Sequence, residues 1–140
     1  MQRFLRLRVL VLLLVVRVGL WCATLSTLRR VLRWWARPRL RPPGPAGTAE
    51  DPAVAVRLVG TVQAIGRWVP KATCLTRALA AQALLARHGI GSRLHIGVAR
   101  DKRGVLAAHA WLERDGVVIL GGDELSSGYT VLPGEEWESL

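Results

Sequence analysis

The stretch from Thr73 to Ile90, followed at once by three alternating segments joined by tight turns, limits the folds open to this 140-residue chain more than any other feature. Thr73 supplies an N-cap, Cys74 falls on the first helical residue, strong helix formers run through Arg87, and Gly89-Ile90 reads as a C-cap with its apolar contact. Residues 93–100, 105–114 and 117–121 then alternate as strands, joined by Asp101-Lys102-Arg103-Gly104 and by Asp115-Gly116, a strong hairpin signal. A helix feeding such a meander can bury its apolar side against the sheet. The expected class is α+β, with helices packed on a small antiparallel sheet.

The position of Cys74 carries chemical information. At a helix start the unpaired N–H groups and the positive end of the helix dipole stabilise negative charge, as a nucleophilic cysteine requires. The candidate base is His109, on the alternating stretch Ala107, His109, Trp111, Glu113. Loops of the lengths above pair Leu94 with Trp111, Ile96 with His109, Val98 with Ala107, and Trp111 with Leu120. One face then holds Leu94, Ile96, Val98, His109, Trp111 and Leu120 together with Val118, which points His109 at the helical layer holding Cys74. The competing interpretation is structural, since free cysteine is among the most buried residue types and usually just packs.

Upstream, Asp51-Pro52 opens a supporting helix on which Val54, Leu58, Val62, Ile65 and Val69 recur at three- and four-residue steps until Pro70. In the following helix Leu75, Ala78, Leu79, Gln82 and Leu85 line one face. Pro38, Pro42, Pro43 and Pro45 with Gly44 and Gly47 make residues 38–49 an extended linker. The chain thus divides into an apolar, arginine-rich helical segment (1–37), the linker, and a domain over 50–140.

The net charge of +10 belongs wholly to residues 1–49, which hold ten Arg and no acid, whereas the remainder holds ten basic and ten acidic groups. A neutral folded part and arginines interleaved with Leu and Val argue against nucleic acid; a membrane surface is the partner that fits residues 1–37. The run at 9–16 lacks a small-x-small cleavage site, so it is not a signal peptide. Eleven Val or Leu between Val9 and Leu25, at roughly −0.3 to −0.6 kcal/mol each, only marginally outweigh a central Arg at about +2.5 to +3.5, and the stretch is short for a span. A membrane-associated or partner-covered helix is expected, with spanning as the lesser alternative. Cys22 and Cys74 suggest no disulfide framework, and His88 and His95 lack a second ligand at metal-binding spacing, so neither metal nor cofactor is expected.

Lys71-Ala72-Thr73-Cys74-Leu75-Thr76-Arg77-Ala78-Leu79, then residues 89–98 and His109-Ala110-Trp111-Leu112-Glu113, together resemble the lasso-peptide leader peptidases, transglutaminase-like cysteine proteases of the microcin-processing B type. The likeness runs from about Val54 to Asp123. It implies a papain-like, transglutaminase-core fold and a cytoplasmic bacterial enzyme that removes the leader from a precursor peptide before a separate macrolactam cyclase closes the ring. It also implies Cys74 as nucleophile, His109 as base and a separate leader-recognition protein as partner. The family pattern places an acid on the strand after the Asp-Gly turn, where this chain has Ile119-Leu120-Gly121-Gly122; Asp123 is the nearest substitute, with Glu113 and Asp115 as alternatives. On a regular strand Gly122 falls opposite His109 and Asp123 points to the wrong face, unless a positive φ or a bulge at Gly121-Gly122 re-aims it. Two further functions are compatible: a transglutaminase-type acyl transferase, and a catalytically silent, membrane-tethered adaptor that binds the precursor.

Overall fold

A computed structural model describes residues 2–37, 52–69, 73–100, 103–123 and 128–133. The linker, the Asp51 cap and Pro70 fall outside the described residues. Four helices, α1 (Gln2–Cys22), α2 (Leu25–Ala36), α3 (Pro52–Gly66) and α4 (Cys74–Arg87), pack on strands β1 (Arg93–Arg100), β2 (Leu106–Arg114), β3 (Val117–Leu120) and β4 (Thr130–Val131). The class is α+β, and the antiparallel sheet has the order β3-β2-β1-β4.

α4 is the axis of the core. Its caps form as the sequence predicts. Thr73 Oγ1 accepts from the Thr76 N–H at 3.3 Å, Ile90 N–H donates to the Leu85 carbonyl and Gly89 N–H to that of Ala86, a Schellman closure. Burial is wider than the single face expected. Besides Ala78, Leu79, Gln82 and Leu85, the helix also buries Ala80, Ala81, Ala83 and Leu84. The reason is that α1, α2, α3 and the sheet all contact α4, and its alanines let the surrounding elements approach closely.

The N-terminal third accordingly contributes to the core. Val9, Leu12, Leu13 and Val16 of α1 and Leu28 and Leu32 of α2 are buried in the same cluster as Leu58, Val62, Leu79, Leu94 and Leu112. The helical segment expected over residues 1–37 forms as two helices. Thr24, in extended geometry, caps a second helix by accepting from the Thr27 N–H, and the turn there lets both helices reach α4. No helix among the described residues is long and apolar enough to cross a membrane.

The sheet register departs from the expected one. β1 pairs with β2 as Leu94 with Leu112, Ile96 with Ala110, Gly97 with His109 and Val98 with Ala108. Arg100 faces Leu106, so the connection is one residue longer than predicted. This slip seats Leu94 and Leu112 together, both fully buried, on the side that meets the helices. It also turns Trp111 and His109 to the reverse face, since directions alternate along a strand. Asp115 and Gly116 take positive φ (51° and 78°), as the two-residue hairpin requires. Arg114 faces Val117 and Glu113 faces Val118, but a bulge between Leu112 and Glu113 then puts Leu120 opposite Leu112 and not Trp111.

Candidate active site

Cys74 is half-buried at the first position of α4. Thr73 holds the turn, its hydroxyl paired with that of Thr76 at 3.0 Å. The Arg77 N–H already closes on the Thr73 carbonyl at 3.1 Å, so Cys74 sits where the first helical N–H groups have no intrahelical partner. Its own N–H is suited to an oxyanion, and the helix dipole favours negative charge at that end.

His109 lies mid-strand on β2, only 3% exposed. Its Nε2 donates to the Gly121 carbonyl at 2.8 Å. A carbonyl can only accept, so this bond places the proton of the neutral ring on Nε2 and the basic lone pair on Nδ1. Gly121 reaches the ring because it adopts φ +81°. A Cβ there would stand 3.0 Å from the Ala110 carbonyl and 3.2 Å from His109 Nε2. The positive φ expected at the double glycine therefore occurs, and it brings a carbonyl to the imidazole. Asp123 is exposed in the short turn that follows.

Around His109 the reverse face of the sheet is aromatic. Trp111 stacks on it (centroids 6.1 Å, 17° between planes), Tyr129 tilts against it at 5.4 Å, and His95 also stacks on Trp111 at 5.6 Å. β4 carries Tyr129 in by pairing Val131 with Gly97 and Thr130 with Val98. Neither β4 nor Tyr129 is evident in the sequence; the alternation of Tyr129, Val131 and Thr130 after Gly128 is their only trace. Gly97 makes the stack possible, since a Cβ would lie 2.9 Å from two Trp111 ring atoms and 3.1 Å from Tyr129 Cβ. Gly97→Ala is therefore expected to cost about 1–3 kcal/mol, read as a lowered denaturant midpoint; an unchanged midpoint would mean that the ring shifts without loss.

Glu113, one alternative acid, faces His95 instead (3.6 Å). Asp115 is a turn residue whose carboxylate accepts from Arg114 Nε at 3.2 Å. The register places His109 on the sheet face away from α4, contrary to the expected orientation, and among the described residues no hydrogen bond joins it to Cys74. No three His, Cys, Asp or Glu side chains among the described residues come together as a metal site.

The arrangement is thus a half-buried thiol on a helix start, a tautomer-fixed histidine on the central hairpin, and helices packed on an antiparallel sheet. No curated relative and no solved structure matches the chain. A family model described as the transglutaminase-like superfamily matches residues 16–133, from within α1 to just beyond β4, and the chain belongs to that superfamily.

Proposed function

We propose that this protein is a cysteine peptidase that removes the leader from a lasso-peptide precursor, with a separate leader-recognition protein and a macrolactam cyclase as its partners. The superfamily includes cysteine proteases and acyltransferases. The observation that carries the peptidase reading is Cys74 at the capped N-terminus of α4. The finer assignment to lasso-peptide maturation draws on the ordered motifs around Cys74, Gly97 and His109.

In this mechanism His109 Nδ1 takes the Cys74 proton. The thiolate attacks the carbonyl carbon of the scissile bond, and the Cys74 N–H stabilises the oxyanion. Collapse breaks the C–N bond as the imidazolium returns its proton to the leaving amine, leaving a thioester; water attacks it with Nδ1 as base, and the acid and the thiol are released. Sulfur and imidazole must come within hydrogen-bond reach for this transfer, and because His109 lies on the sheet face away from α4, the proposed mechanism requires substrate binding to bring the two together. The Gly121 carbonyl fixes the tautomer but carries no net charge, and a nearby carboxylate would steady the imidazolium further. Asp123, two residues on, is the proposed third member. Asp123→Asn is expected to lower kcat about ten-fold, or about 1.4 kcal/mol of barrier; an unchanged rate would leave the carbonyl as the orienting group.

The test is incubation of the purified protein with its precursor and recognition protein, followed by mass spectrometry. Free leader and core confirm hydrolysis, whereas an added amine appearing on the leader's C-terminus identifies an acyl transferase. A second interpretation, a silent adaptor that binds the precursor, is favoured by the outward face on which His109 lies. Precursor binding without cleavage would establish it.

A further inference from the structure

We propose that the outer side of α1 and α2 is a docking surface for an anionic phospholipid bilayer, on which the protein lies without crossing it. α1 is apolar on two opposite sides. One side is buried through Val9, Leu12, Leu13 and Val16. Opposite them, at three- and four-residue steps, Phe4, Leu7, Val11, Val15 and Val18 form a second stripe that is 49–71% exposed. It runs for about 21 Å at the helical rise of 1.5 Å per residue. Trp34 of α2, 70% exposed, borders it across a groove of about 990 Å³. A helix that is hydrophobic all round is ordinarily covered on every side, and contiguous exposed apolar surface of this extent marks an interaction site.

Charge identifies what covers it. The described residues of α1, α2 and their junction contain no acid, and Arg3, Arg6, Arg8, Arg30, Arg33 and Arg37 are all exposed. A neutral occupant would leave that one-signed cluster uncompensated; a sheet of lipid phosphates compensates it while taking the apolar stripe into the acyl boundary. Trp21, 82% exposed at the end of α1, and Trp34 have the amphipathic ring that settles at headgroup depth. No helix among the described residues is long and apolar enough to cross, so the contact is peripheral.

The experiment is co-sedimentation of the full chain with phosphatidylcholine vesicles, with and without phosphatidylglycerol, at low and high salt. Binding at least ten-fold tighter to the anionic vesicles is expected, weakened by salt and accompanied by a blue shift of tryptophan emission. Val11→Asp combined with Val15→Asp, both exposed, is expected to abolish binding and leave the thermal transition unchanged. Arg30→Gln with Arg33→Gln is expected to remove at least ten-fold of the anionic preference. Equal binding to both vesicles, or none, overturns the proposal. So does self-association in sedimentation velocity that the valine variants disperse, which would make a second copy of the chain the occupant.

Discussion

Cys74→Ala is expected to abolish precursor cleavage, a loss on the order of 10⁴-fold or more, while the protein keeps its fold. Removing a nucleophile leaves only what binding and oxyanion stabilisation contribute, and single knock-outs of such groups are among the largest effects a substitution produces. Stability should move by less than about 1 kcal/mol, because alanine is the best helix former and the Thr73 cap and the Schellman closure of α4 do not involve the sulfur. Cys22, exposed at the end of α1, is the matched control, and Cys22→Ala should cleave at the full rate. Mass spectrometry of leader and core over time separates the two variants. Sustained cleavage by the Cys74 variant would sink the nucleophile assignment.

Deletion of residues 1–37 is expected to leave a chain without a cooperative unfolding transition. Six side chains of α1 and α2, namely Val9, Leu12, Leu13, Val16, Leu28 and Leu32, are at most 5% exposed and pack on the same cluster as α4 and the sheet. At about 1.5–3 kcal/mol each their burial contributes roughly 9–18 kcal/mol, as large as the whole stability of an ordinary domain. The deletion would also open the alanine-rich side of α4 to water. Leu13→Ala makes the same test at one position, with an expected loss of about 2.7–5 kcal/mol measured by denaturant. A shortened chain that unfolds cooperatively at an unchanged midpoint would show that α1 and α2 are accessory. Leu13 and Val11 lie on different sides of α1, so the core variant and the membrane variants report separately.

Local chemistry is legible in the sequence. Thr73, Gly89-Ile90 and Asp115-Gly116 are caps and a turn whose geometry depends on a few neighbouring residues, and each forms as its sequence demands. The helix under Cys74 and the strand under His109 were readable for the same reason, as was the α+β class. The one-residue slip between β1 and β2 was not. It depends on which of two strand faces meets the helices, and that choice follows from seating Leu94 and Leu112 together against α4. Turn length alone gave the other face.

Composition set α1 apart as a basic, apolar appendage because it shows only that the helix is hydrophobic, not which side is covered. Three-dimensional packing decided that one stripe closes the core and the opposite stripe remains open. The imidazole's partner was equally beyond reach of the sequence. A motif names side chains, and here the group on His109 Nε2 is a main-chain carbonyl, delivered by the positive φ of Gly121 at the end of the bulged β2–β3 hairpin. The residues themselves determined the caps, the turn and the candidate nucleophile, because those are settled within a few positions along the chain. Tertiary structure decided register, burial and the company kept by His109, because those depend on contacts between segments far apart in sequence.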